Sequence, residues 1–232
     1  MGQWFQVKCK PSINIKNSVW IVSLCTLLYG VITSAQDQLI TIGHFSMGEM
    51  VSWEEKSFAG STQYQLKQRD GKSALYAHSS QGASGLFKEV EIDLKQTPYL
   101  SWQWLAENRL TGIDERTKQG DDYVARVYVV AKHPLFFWKT RALNYVWSSN
   151  QKVGSHWENA YTSQAIMIAV DGKTSPLNQL QPHKRNVYED FKRYFGEEVE
   201  KVDVIAIMTD TDNSKGSATA WYGDISVMKQ LP

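Results

Sequence analysis

Beyond residue 35 the apolar residues come in short runs, rich in β-branched and aromatic side chains and separated by clusters of Gly, Asp, Asn, Lys and Pro. Runs of this kind favour strands, which bury one face by alternation and end at turn residues. Nine are read as strands: Tyr64–Gln68, Ala74–Ser79, Gly85–Val90, Tyr99–Leu105, Tyr123–Ala131, Leu143–Ser148, Ala165–Val170, Val202–Met208 and Ala218–Val227. There is no repeat, no low-complexity tract and no Pro- or Ser-rich linker. The expectation is a mainly β fold: one antiparallel β-sandwich domain over residues 36–232.

Two of these strands can be given faces. In Leu100–Trp104, period two puts Leu100, Trp102 and Trp104 on one side and Ser101 and Gln103 on the other. The tryptophans are assigned to the core. Tyr123–Ala131 is apolar on both faces except at Arg126, which predicts a central strand covered on both sides. A buried Arg needs a carboxylate or several carbonyls, so Arg126 is either a structural ion pair or a clamp for a ligand. One helix interrupts the strands. Asn186 can cap it, Glu189 stands three residues on, and Val187, Phe191, Tyr194 and Phe195 form an apolar stripe. Gly196 supplies the stop, so the helix spans 187–195.

The first 35 residues read as an export signal. Met1–Ser18 has no acid and carries Lys8, Lys10 and Lys16; Val19–Ile32 is apolar; Thr33-Ser34-Ala35 offers small residues to a signal peptidase. The apolar run falls short of the ~20 residues a bilayer span needs. Cleavage after Ala35 is expected, with a periplasmic or secreted product and no transmembrane segment in the mature chain. Cys9 and Cys25 leave with the signal, so disulfides contribute nothing to the mature fold. Three lysines leave too, which takes the balance from +1 to −2. That charge gives no basic field for nucleic acid, and no nucleic-acid partner is expected.

Chemistry-bearing motifs are sparse. There is no G-x-S-x-G, no phosphate loop, and no zinc spacing among the five His. Three clusters remain. Asp114-Glu115-Arg116-Thr117-Lys118-Gln119-Gly120-Asp121-Asp122 carries six charges just ahead of a buried strand. It reads as a solvated hairpin loop or as a binding loop. Asp210-Thr211-Asp212-Asn213-Ser214-Lys215-Gly216 opens like a calcium loop but has Lys215 and Trp221 where Gly and Glu belong. As an EF-hand it fails, a plain turn suffices, and no cofactor or metal is assigned, with Ca²⁺ as the alternative. Leu135-Phe136-Phe137-Trp138, between Lys132 and Lys139 and Arg141, is either core or an apolar patch with a basic rim.

Long blocks of the chain resemble a bacterial family, domain-of-unknown-function family 3047. They are Leu100–Trp104, Gly112–Val130, Ala142–Ser149, Val153–Ser163, Arg185–Gly196 and Ile205–Ile225. The resemblance implies an exported protein of a Gram-negative bacterium and brings no established activity. A looser likeness, through Leu100–Trp104 and the closing Trp221-Tyr222-Gly223-Asp224-Ile225, is to jelly-roll sandwiches of the carbohydrate-binding-module kind. Fold does not imply function, so that likeness is an analogy of architecture.

Two functions from different classes fit these residues. One is a non-catalytic module for a glycan or small polar ligand, held by aromatic faces and planar polar groups. Its candidate residues are Asp114, Glu115, Arg116, Asp121, Asp122, Arg126, Asn144, Tyr145, Trp147, Asp210, Asp212, Asn213, Trp221 and Asp224. The other is a glycan-active enzyme using paired carboxylates drawn from Glu115, Asp122, Asp210 and Asp224. A third, structural reading makes 135–138 a partner contact. Whether the 112–122 and 210–216 loops meet discriminates a site from two ordinary turns.

Overall fold

The computed structural model describes residues 39–229 apart from Pro134, with only the backbone of Phe137. The leader expected over residues 1–35 lies outside the described residues. One sheet holds β1 (Leu39–Gly43), β3 (Gln63–Arg69), β4 (Lys72–Ser80), β6 (Tyr99–Ala106), β11 (Gln181–Asn186), β13 (Ser217–Tyr222) and β14 (Ile225–Met228). The other, in order across the sheet, is β2 (Glu54–Ala59), β5 (Ala83–Asp93), β12 (Lys201–Asp210), β7 (Ala125–Ala131), β8 (Arg141–Trp147), β10 (Thr162–Asp171) and β9 (His156–Asn159). They are called sheet I and sheet II. Their inner faces share one apolar core, which makes a β-sandwich. All the paired strands run antiparallel except β8 and β10, which run parallel from Ala142↔Ala165 to Val146↔Ala169, a departure from the purely antiparallel expectation.

Trp102 and Trp104 project from β6 into the core, as their alternation predicts, and meet Tyr145 and Trp147 of β8 at ring separations of 5.1 and 6.3 Å. Tilted and offset aromatic pairs of this kind contribute about 0.5–1.5 kcal/mol each beyond their area burial. Between the sheets Asp171 on β10 accepts from Trp104 Nε1 at 2.6 Å and lies 2.7 Å from His183 Nε2. Burial alone raises the Asp171 carboxyl, but these two partners hold it below its ordinary value.

The helix α1 spans Val187–Phe195. Asn186 Oδ1 accepts from Glu189 N at 3.1 Å, and Gly196 closes it at φ +68°, a left-handed conformation that glycine adopts at little cost. The expected strand Ala218–Val227 is two strands. Gly223 breaks it: its N–H donates to Gln103 O at 2.8 Å, and the Gln103 side chain fills the space a Cβ would need. Strands β1, β2, β9 and β11 are additions to the nine expected. The first three are sheet edges, and β2 is exposed along its whole length, so no apolar alternation marks it.

Candidate functional site

The 112–122 and 210–216 loops meet. Gly120 makes the first loop fold on itself, because its α-carbon lies so close to the Asp114 backbone that no side chain fits. That turn delivers Asp121 and Asp122 to the end of sheet II. Asp122 then accepts from Asn213 N (3.2 Å), Asn213 Nδ2 (3.3 Å) and Ser214 N (2.5 Å), which ties the second loop to the first. Tyr161, from the turn after β9, adds a third segment. Its hydroxyl reaches Lys118 O at 3.2 Å and Asn213 Oδ1 at 3.3 Å.

Arg126 sits beneath this junction at 4% exposure. Its Nε donates to Asp210 Oδ1 at 3.0 Å and its Nη2 to Asp210 Oδ2, a bidentate pair, while Nη2 also reaches Asp121 O at 3.1 Å. The guanidinium lies 4.4 Å from the Tyr123 ring. Asp121 further accepts from Asn159 Nδ2 at 3.1 and 3.2 Å. Arg126 is thus the structural ion pair of the two readings, and it lines the cavity above it as well.

That cavity, about 420 Å³, opens on the outer face of sheet II. Its lining brings Asp121, Arg126, Asp210, Asp212 and Asn213 together with Asn144, Asn159, Tyr161 and Thr162 and with Phe58, Tyr128 and Met208. The expectation that β7 is covered on both faces fails here. Its inner face meets the core, but Arg126 and Tyr128 look outward onto open volume. Asn144 is 2% exposed, and its Oδ1 has no protein partner while Nδ2 reaches only the Met167 sulfur at 3.3 Å. A buried acceptor without a donor costs about 1–3 kcal/mol. The groups around the cavity are mostly acceptors, with four aspartates near one guanidinium. Burial, and then the Asp122 carboxylate, push the Asp212 carboxyl above its ordinary value. Asp122, Asp210 and Asp212 each bring an oxygen within 4.8 Å of the others, so among the described residues these three could hold a cation.

Seven of the fourteen residues singled out in sequence come together: Asp121, Asp122, Arg126, Asn144, Asp210, Asp212 and Asn213. The other seven do not join them. Tyr145 and Trp147 are core. Glu115 is sealed inside, accepting from Ser148 Oγ and from Ser149 N (2.6 Å), its carboxyl raised by burial. Asp114 is exposed and caps its own turn through Arg116 N at 3.1 Å. Arg116 is exposed and lies 5.8 Å from the Trp157 ring. Trp221 is on the outer face of sheet I, and Asp224 accepts from Ser46 N at 2.8 Å. Of the carboxylates proposed for catalysis, Glu115 and Asp224 lie elsewhere, while Asp122 and Asp210 each bring an oxygen within 4.8 Å of the other. Sequence reasoning missed Phe58, Tyr128, Asn159, Tyr161 and Thr162. Tyr128 was within reach, since it follows Arg126 at the strand period.

A family model described as "Protein of unknown function (DUF3047)" matches residues 51–226. The chain belongs to the DUF3047 family. The match begins well before Leu100, so β2 to β5 of this DUF3047 protein fall within the family's span together with the later blocks. The comparison with curated proteins gives no match. Among solved structures the DUF3047 chain is similar to the family 11 carbohydrate-binding module of cellulosomal cellulase Lic26A-Cel5E of Clostridium thermocellum, at 8% identity and TM-score 0.47, covering 84% of this chain and 96% of that one. It is also similar to the family 30 carbohydrate-binding module of cellulosomal cellulase Cel9D-Cel44B of Clostridium thermocellum (12%, TM-score 0.48, 84% and 99% covered). A third is TmCBM61, solved with β-1,4-galactotriose (10%, TM-score 0.41, 81% and 94% covered).

Proposed function

We propose that this protein is a non-catalytic binding module whose ligand is a glycan or another small polyhydroxylated molecule, seated in the cavity between the 112–122 and 210–216 loops. The observation that carries this is Asn144: a buried carboxamide on the cavity wall with an acceptor that no protein donor satisfies. A ligand hydroxyl supplies the missing donor. The aspartates that line the cavity accept from further hydroxyls, and Tyr128, Tyr161 and Phe58 offer apolar faces to ring C–H groups. Asp122 and Asp210 are held by the loop backbone and by Arg126, so they form a fixed acceptor array that binding does not have to order. We place this single domain in the periplasm or outside the cell, on the strength of the leader read over residues 1–35.

The test is calorimetry against a panel of envelope polysaccharides and oligosaccharides, with the wild-type protein beside Asn144→Leu. The expected result is a binder whose affinity drops about tenfold or more in the variant, the ~1.4 kcal/mol of one well-placed hydrogen bond. A panel without a binder, or a binder indifferent to Asn144→Leu, removes the reading.

A further inference from the structure

The polar cavity has a neighbour. A second volume of about 460 Å³ lies on the same outer face, lined by Lys56, Phe58, Gly85, Phe87, Tyr128, Val130, Lys132, Val204, Ala206, Ile207 and Met208. Phe58, Tyr128 and Met208 belong to both, so the two are contiguous. Adjacent strands change character in the same sense. Along β12 the outward residues go from Asp210 through Met208 to Ala206 and Val204; along β7 they go from Arg126 through Tyr128 to Val130; along β5 from Ala83 to Gly85 and Phe87. Small residues at Gly85 and Ala206 leave the depression. At ~3.3 Å per residue, the polar-to-apolar passage from Asp210 to Val204 runs about 20 Å.

A second apolar feature follows in the chain. Lys132 lines the apolar volume and begins the β7–β8 connection, where Leu135 is 79% exposed and Trp138 53%. Of the two readings of 135–138, the exposed patch is the one that Leu135, Phe136 and Trp138 show, and Lys139 stands at its rim with Nζ 5.2 Å from the Phe136 ring. An open apolar trough continuous with a polar cavity suits a ligand with one polyhydroxylated and one apolar end.

We infer that the ligand is an amphiphile: a polyhydroxylated head in the acceptor-rich cavity and an alkyl chain in the trough from Met208 to Val204. The inference rests on the binding reading above and names the chemical class that reading leaves open.

The probes are maltose and the hexyl, octyl and decyl β-maltosides, each below its critical micelle concentration, titrated calorimetrically into the whole protein. Each CH₂ that reaches the trough is worth about fourfold in affinity, so decyl maltoside is expected to bind at least ~10-fold tighter than hexyl. Ala206→Phe fills the trough and Val130→Gln makes its wall polar. Both positions are partly exposed on the outer face, and neither variant touches the inter-sheet core. Both are expected to flatten the chain-length dependence, while Asn144→Leu weakens every glycoside by a common factor. A chain-length dependence that survives both trough variants, a series without chain-length dependence, or no binding at all overturns the inference. If affinity is flat in chain length yet sensitive to Asn144→Leu, the trough assignment falls and the head site stands. If affinity rises with chain length and ignores Asn144→Leu, the head site falls and the trough remains.

Discussion

The two outer faces of the sandwich carry similar side chains and end up in opposite states. On sheet I, Lys67 Nζ lies 3.4 Å from the Tyr76 ring, Tyr76 meets Trp221 at 5.1 Å, and Arg69 stacks on Trp221 at 5.1 Å. Glu107 accepts from both Arg69 Nη1 (2.6 Å) and Trp221 Nε1 (2.7 Å). The indole N–H of Trp221 and the guanidinium over its ring thus share one carboxylate partner within the protein. On sheet II, Arg126, Asp121 and Asp210 are just as fully paired, but Asn144, which lines the cavity beside them, keeps a buried acceptor without a protein donor. In the proposed function, what sets the sheet II face apart is an unmet buried hydrogen-bonding group, and neither the aromatic content nor the charge supplies it.

Removing Arg126 gives the largest effect. Arg126→Met leaves Asp210 and Asp121 buried without their cation, and a loss of about 3–5 kcal/mol is expected in urea unfolding. If the loss is below 1 kcal/mol, the guanidinium was not neutralising that wall, and Arg126 returns to being a ligand clamp. Next comes Asp171→Asn between the sheets, expected to lose about 1–3 kcal/mol at neutral pH. The Asp171 carboxyl is held below its ordinary value, so its contribution is complete above the unfolded-state value of about 3.9 and disappears as pH falls through the lower folded-state value. The gap between wild type and variant should therefore close in that acid range. A gap independent of pH assigns the loss to packing. On sheet I, Trp221→Phe keeps a ring but loses the bond to Glu107. About 1 kcal/mol is expected, with affinity for any cavity ligand unchanged. A change in binding would break the contrast between the faces.

Much of the architecture was legible. The Trp102/Trp104 alternation, the capped helix ending at Gly196, and the strands that bury a whole face all follow from local period and turn chemistry. Two of the added strands were not legible, because β2 buries nothing and β11 (Gln181–Asn186) is polar and contains Pro182, and their pairing partners are far away in sequence. For the site, charge clustering identified both loops, and the need of Asp121 and Asp122 for partners hinted at their meeting. Glu115 misled, because a carboxylate in a charged loop looks solvated until the fold turns it toward Ser148 and Ser149. Tyr145 and Trp147 misled for the opposite reason. Asn144 lies between Leu143 and Tyr145 on β8, and period two sends Asn144 to the cavity and its two neighbours to the core.

The smallest expected stability change is at Asn144, and it is the most discriminating. A 2% exposed asparagine is normally costly to replace by an apolar residue, because its partners are stranded. Here the only partner is the Met167 sulfur, a weak acceptor that packs against a methyl group as readily as against an amide. Asn144→Leu keeps the branched outline and the number of side-chain heavy atoms, has the cavity to take up its extra volume, and removes an unsatisfied buried acceptor. Its unfolding free energy should lie within about 1 kcal/mol of wild type, on either side. Paired with loss of ligand affinity, that result marks a residue kept at the expense of stability for something the free protein does not contain. A loss of 2 kcal/mol or more would show that Asn144 is already satisfied within the fold, and the two outer faces would then be alike.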